Sequence, residues 1–236
     1  MLIFRPSPST VLAPGSTVTR HVHLRAYATV VLDGGYQEAG ECGRWRVHAG
    51  DVLIHAPISA HWDHVAAGGA RVINLPLPDS IARSACGHCA DLDLVLRLAT
   101  RDPLEAAQAL LHGWRAGAAG LADVPDLLAR MLAAPDSPGI EAWADGVGVS
   151  RATAFRWFRA TYGVAPTSYR VESRARLAWR MIVYGADSLA DIAAAAGYAD
   201  QPHMSRDVQR LTGHSPGAWR TQDALQHSFK TGTGKA

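Results

Sequence analysis

Histidines and cysteines are the side chains with the most chemistry to offer in this chain, and two groups of them stand out by their spacing. His21 and His23 lie two apart in Thr17 to Leu24, a stretch that reads as a strand, so both imidazoles fall on one face. His61 closes the run Gly50-Asp51-Val52-Leu53-Ile54-His55-Ala56-Pro57-Ile58-Ser59-Ala60-His61 and supplies a third ring. Three neutral imidazoles can hold a divalent ion such as Zn²⁺; the commoner use of such rings is to border a pocket for a small organic effector. Cys86-Gly87-His88-Cys89 is the second group. A thiol beside a histidine at the start of a helix can be held below its ordinary pKa and serve redox switching or metal ligation. Cys86 and Cys89, with Cys42, are therefore candidate soft donors, and two reduced, partly buried thiols are the plainer alternative. An odd number of cysteines argues against a disulfide framework.

A third group of chemically able residues lies in the C-terminal part, where the charge also shifts. Residues 138–236 carry 12 Lys and Arg against 8 Asp and Glu, whereas 1–137 carry 11 against 13, so a polyanionic partner fits the C-terminal part. Within it, Ile140 to Pro166 and Leu189 to Pro216 repeat, with Gly148 matching Gly197, Ser150 Asp200, Arg156 Arg206, Gly163 Gly213 and Pro166 Pro216. In the first copy Ile140, Trp143, Ala144 and Val147 are the apolar stripe of a short helix that ends at Gly148. Ser150 caps a second helix, with Ala154, Trp157, Phe158 and Tyr162 inward and Arg151, Ala152, Phe155, Arg156 and Arg159 outward. In the second copy Ser188 and Asp191 have capping-box spacing and Asp200 caps the second helix. That helix buries Met204, Val208 and Leu211 and presents Gln201, Pro202, His203, Ser205 and Arg206. Helix, glycine turn and capped helix make a helix-turn-helix unit, whose second helix can enter the major groove of DNA.

These side chains need elements to position them. Residues 1–78 read as short strands (Thr17 to Leu24, Ala28 to Leu32, Arg44 to His48, Val52 to His55, Ala70 to Leu75) broken by Gly, Pro and Asp, which implies a small β-barrel or sandwich. Residues 79–137 form a helical connector or dimerisation region, with Leu92, Val95, Leu96, Ala99, then Ala106, Leu110, Leu111, then Leu127, Leu128, Met131, Leu132 at helical spacing. Ala133 to Gly139, with two prolines and a glycine, interrupt that pattern as a linker, so the DNA-reading part is placed at 138–222, with Thr167 to Tyr184 as one helix joining its two units and 223–236 as a flexible tail. The fold class expected is α+β. With 48% hydrophobic residues, no run of roughly 18 uncharged apolar residues and no apolar N-terminal segment, the chain is expected to be a cytoplasmic globular protein with no membrane partner.

The run from Ala196 to Arg220 (Ala196-Gly197-Tyr198-Ala199-Asp200-Gln201-Pro202-His203-Met204-Ser205-Arg206 through Gly213-His214-Ser215-Pro216) resembles the C-terminal signature of AraC/XylS-family transcription regulators, and Phe158 to Pro166 is similar to the family's first unit. The resemblance implies two recognition helices approaching promoter DNA, with Ala152, Phe155 and Arg156 at reading positions in the first and Gln201, Pro202, His203, Ser205 and Arg206 in the second. Ala152 and Phe155 depart from the usual polar residues and favour contact with a thymine methyl; Asp207 and Val208 depart from the usual hydrophobic arrangement of the second unit. His21-Val22-His23 and Gly50 to His61 resemble the two motifs of cupin barrels, which implies a sensing domain around His21, His23 and His61. The carboxylate expected after the paired histidines is missing, Tyr27 or Ala28 standing there. A regulator of this kind requires no cofactor, with a divalent metal as the alternative occupant of the histidine set. Its partners would be promoter DNA, a small-molecule effector, RNA polymerase if it activates, and a second copy in a homodimer. A metal- or redox-responsive regulator is the alternative. Enzymatic catalysis is not expected, because a metal-dependent cupin enzyme leaves the repeated helices unexplained.

Overall fold

Strands form where β-branched and aromatic residues alternate, but the two that organise the sheet are far longer than the sequence pattern suggests. The computed structural model describes residues 2–3, 8–117 and 120–221. Its sheet contains β1 (Leu2–Ile3), β2 (Ser9–Leu12), β3 (Thr17–His23), β4 (Tyr27–Gly40), β5 (Gly43–His48), β6 (Asp51–His55), β7 (Ser59–Pro76), β8 (Ala85–Cys89) and β9 (Trp114–Ala116). The order is β1-β3-β7-β4-β6-β8-β9, with β2 also on β7 and β5 on β4; every pair is antiparallel except β1 with β3.

Gly34 and Gly35, and Gly68 and Gly69, which read as breaks in the sequence, lie inside β4 and β7. β4 and β7 slip register between Val31 and Asp33 and again between Gly34 and Tyr36. Such bulges bend a strand and re-aim its side chains. At the crossing, Gly34 (φ +68°) would place a Cβ 2.0 Å from the Gly69 carbonyl oxygen, so the bend requires glycine there. One apolar cluster (Ala28, Val30, Val52, Ile54, Leu75) packs against Val95, Ala106, Ala107 and Leu110 of α1 (Leu92–Ala99) and α2 (Pro103–Gly113). A second cluster joins Val31, Tyr36, Val47, Leu53, Val65 and Val72.

Two expectations need correction here. The sheet does not end at residue 78, because β8 and β9 extend it to Ala116, and the stretch 79–137 is strand and helix mixed. Leu127 of α3 (Val124–Ala133), which fits the apolar period, is exposed, while Leu128 and Leu132 are fully buried.

The chain divides into two compact units whose limits cut across the repeat. The first contains 1–130 and 139–165, and the second 131–138 with 166–236; the tail expected at 223–236 lies outside the described residues. The first unit thus holds α4 (Ile140–Gly146) and α5 (Arg151–Tyr162) with the sheet, and the second holds α6 (Pro166–Tyr184), α7 (Leu189–Ala195) and α8 (Gln201–Thr212). α5 is tied to the sheet unit by polar contacts. Arg44 of β5 donates from Nε and Nη2 to the two Asp126 oxygens at 3.1 and 2.8 Å and from Nη2 to Asp123, and the Tyr162 hydroxyl donates to Asp126 at 2.8 Å.

In the second unit the continuous helix expected between the copies is α6. Its Arg174 is engaged by the second copy of the repeat. The guanidinium donates to the Ala196 carbonyl at 3.3 Å and to that of Gly197, and stacks 4.2 Å over Tyr198, which fastens α6 to the turn of the second copy.

Candidate functional site

Each copy of the repeat is built from the same local parts. In the first, the Ser150 hydroxyl accepts the Thr153 N–H at 3.1 Å and starts α5, and Gly163 (φ +66°) ends it in the left-handed conformation. In the second, the Asp200 carboxylate accepts the His203 N–H at 2.7 Å and starts α8, and Gly213 (φ +80°) ends it. Gly148 (φ +72°) and Gly197 (φ +75°) make the two turns. Ser188 accepts the Asp191 N–H at 3.1 Å, as the capping-box spacing requires.

The outward faces carry the residues expected on them. Arg151, Ala152, Arg156 and Arg159 are exposed on α5, and Phe155 is half-buried with the Arg151 guanidinium 5.4 Å from its ring. Gln201, Pro202 and Arg206 are exposed on α8, with His203 and Ser205 half-buried. Trp157 is a correction: expected inside, it is 41% exposed, because α5 buries only the narrow stripe Ala154, Phe158 and Tyr162. Val147, expected in the stripe of α4, is exposed because the helix stops at Gly146 and Val147 is its C-cap. The unusual Asp207 is accommodated by pairing within its own helix, to Arg210 at 2.7 Å and His203 at 3.5 Å.

The sheet builds a second site from cross-strand pairs. His21 stands directly opposite His61, Glu38 opposite Asp63 and Tyr27 opposite His55. All six are buried, together with His23. The His23 and His61 Nε2 atoms are 3.1 Å apart, and the Tyr27 hydroxyl is 3.1 Å from the same His61 nitrogen. Asp63 accepts the His61 Nδ1–H at 2.8 Å and the Thr19 carbonyl accepts the His21 Nδ1–H at 2.8 Å. Proton positions follow from these partners: with Nδ1–H given to Asp63, His61 accepts at Nε2 from Tyr27 and His23.

Electrostatics in this pocket are set by burial. It pushes His55 and His61 well below the ordinary histidine range, aided by neighbouring imidazoles, so both rings are neutral. Burial and then the opposing Asp63 push Glu38 well above the carboxylate range, and burial lifts Asp63 to about 7. A cavity of about 150 Å³ opens among His21, His23, Tyr27, Glu38, His61 and Asp63, lined also by Thr10, Thr29, Tyr36 and Asn74.

His21, His23 and His61 are thus brought together as expected. Cys86 and Cys89 do not join them: among the described residues the donor groups that converge are His21, His23 and His61, and Glu38, His55 and His61. Cys86 lies on strand β8 and not at a helix start, and burial pushes its thiol up to about 12, the opposite of activation. All three cysteines are free thiols. Sequence reasoning missed Glu38, His55 and Asp63. Asp63 was within reach, since it alternates with His61 as His23 does with His21.

Residues 143–222 match the helix-turn-helix domain family. Over 127 residues the chain is 34% identical to an AraC-like transcription regulator of Streptomyces lividans, an alignment that covers 52% of this chain and 40% of that protein. The chain therefore spans well under half the length of that relative. Among solved structures it is similar to an AraC-type transcriptional regulator of Chromobacterium violaceum (26% identity, TM-score 0.39, 41% of this chain and 88% of that one). It is also similar to ToxT of Vibrio cholerae with bound unsaturated fatty acid (10% identity, TM-score 0.41, 90% and 93%). Two capped helices behind glycine turns, α5 and α8, lie within the residues that match the helix-turn-helix domain.

Proposed function

We propose that the chain is a sequence-specific transcription regulator that reads promoter DNA with α5 and α8 and senses a small effector in the sheet cavity bordered by His21, His23 and His61. The observation that carries the reading is the duplicated, capped helix with arginine at the same place on each outward face, Arg156 and Arg206. Such helices deliver side chains to base edges in the major groove, and two of them on one face of a duplex enter successive grooves about 34 Å apart. The cavity limits the effector. At about 150 Å³ it falls below the roughly 300 Å³ at which pockets for drug-sized ligands begin, so the ligand is small and polar.

The reading places the protein in the cytoplasm, acting as a homodimeric activator that touches RNA polymerase, and assigns it no catalytic step. Three free thiols and the lack of any helix among the described residues long and apolar enough to cross a membrane support that placement. Binding-site selection with the full chain tests the reading. A selected duplex should be bound with an affinity that falls steeply with salt. Arg156→Ala and Arg206→Ala should each cost about 1 to 3 kcal/mol and relax preference at one position. An unchanged preference in both variants, or no duplex binding at low salt, overturns it.

A further inference from the structure

Glu38 is the feature of the sheet cavity that its hydrogen bonds do not explain. It is 2% exposed, and its Oε2 is buried without a hydrogen bond to any of the described residues. An acid this deep ordinarily finds donors, because an unsatisfied buried carboxylate is costly. Instead its two oxygens face two ring nitrogens, Oε1 at 3.6 Å from His55 Nδ1 and Oε2 at 3.5 Å from His61 Nδ1. Both separations are too long for hydrogen bonds. They are close to the roughly 3.4 Å that separates two donors on one tetrahedral ion held at about 2.0 to 2.2 Å.

The proton count around His55 points the same way. The Thr29 hydroxyl donates to Asn74 Oδ1 at 2.8 Å. It can then only accept from His55 Nε2, 3.4 Å away. With its hydrogen on Nε2, the His55 ring has its lone pair on Nδ1, 3.6 Å from Glu38 Oε1 and beyond hydrogen-bond reach of it, a gap that a cation held by both would fill. His61 can present Nδ1 in the same way by moving its proton to Nε2, where the Tyr27 oxygen, 3.1 Å away, accepts it.

We propose that Glu38, His55 and His61 hold a divalent first-row transition-metal ion, with the donor atoms Glu38 carboxylate, His55 Nδ1 and His61 Nδ1. Two imidazoles and one carboxylate suit Zn²⁺, Fe²⁺ or Co²⁺ in place of Mg²⁺ or Ca²⁺, which prefer all-oxygen sites. The set differs from His21, His23 and His61. It shares one ring with that trio and uses the ring's other nitrogen. On the reading of the sheet domain as the sensing half, this ion is what that half responds to or what fixes the effector there. Ion binding is measured without DNA, so the two readings stand or fall separately.

The test uses the full chain, purified without affinity-column metal, freed of ions with chelator and titrated with Co²⁺ while the visible d–d bands are followed. Wild type should bind one equivalent. Glu38→Gln, which keeps the side-chain shape, and His55→Ala should each weaken Co²⁺ binding by more than about a hundredfold, since loss of an outer partner alone costs about 10- to 100-fold. The double variant His21→Ala with His23→Ala should keep the bands. Thermal unfolding of each metal-free variant confirms that it is folded, and Glu38→Gln should melt no lower than wild type because it removes a buried acid opposite another. No Co²⁺ bound by wild type, bands retained in Glu38→Gln or His55→Ala, or equal loss in the His21 and His23 variant overturns the assignment.

Discussion

Asp126 shows how one side chain can carry several jobs. It is 1% exposed and accepts hydrogen bonds from Arg44, from the Asp123 backbone N–H at 3.1 Å and from Tyr162. Burial by itself would raise its pKa, but those donors together hold it below the ordinary carboxylate range. A depressed folded-state value means that the contribution to stability is complete above the unfolded pKa of about 3.9 and is lost as pH falls through the lower folded value. Acid unfolding below about pH 4 should therefore include this group, and Asp126→Asn should flatten that part of the stability curve. At pH 7 the same variant leaves Arg44 buried with Asp123 alone and should lose about 3 kcal/mol. Tyr162→Phe removes one charge-assisted bond and should lose about 1.5 kcal/mol. Urea denaturation at pH 7 and pH 3.5 separates them, and an Asp126→Asn variant as stable as wild type at pH 7 would contradict this account of the cluster.

At the scale of elements, the second helix of each copy depends on its cap. Ser150→Ala and Asp200→Ala should each destabilise by about 1 kcal/mol, because each leaves a first-turn N–H without its acceptor. Gly163→Ala should do more harm than Gly148→Ala. Both positions have positive φ, but a Cβ at Gly148 meets none of the described residues within 4 Å, whereas at Gly163 it would lie 2.4 Å from the Trp62 ring. Denaturant midpoints for the four variants check the order, and equal effects of the two glycine changes would refute the packing argument. The caps, turns and outward arginines were all legible in the sequence because they obey local rules of spacing. What was not legible lies in the sheet. Tyr27 and Thr29 share the cavity with Tyr36 and Glu38, odd positions with even ones, because the bulges between Val31 and Tyr36 change which side of the strand faces inward. A period-two reading of β4 assigns Glu38 to the wrong face. The turn that sets β7 is equally hidden: Ile58 adopts φ +58° while fully buried, in a turn closed by the Ser59 N–H on the Ala56 carbonyl at 3.2 Å. A β-branched residue in that conformation is not inferred from composition.

For the whole molecule, the question that the proposed function raises is how a cavity in the sheet would speak to the helix assigned to read DNA, and β7 offers a direct mechanical route within the first unit. Its consecutive residues His61, Trp62 and Asp63 alternate across the strand, His61 and Asp63 into the cavity and Trp62 to the other side, where its indole lies against Gly163 at the end of α5. A ligand that draws His61 toward Glu38 shifts a strand whose outer face touches the helix end. Close-packed contacts of this kind pass small displacements on because the interior is not easily compressed. α5 is held at the same end by the Tyr162 hydroxyl on Asp126, so the helix has two anchors on the sheet unit, one apolar and one charged. Loading the cavity should therefore change the affinity for DNA, by the roughly 5- to 150-fold that ordinary coupling between sites supplies. Fluorescence anisotropy of a selected duplex with the full chain, in chelator and with one equivalent of Co²⁺, reads the change. Trp62→Ala should leave Co²⁺ binding intact and shrink the difference in DNA affinity, because it removes the contact and not the donors. If Trp62→Ala responds to the ion as wild type does, β7 is not the route, and the Asp126 anchor becomes the next residue to test by the same comparison with Tyr162→Phe.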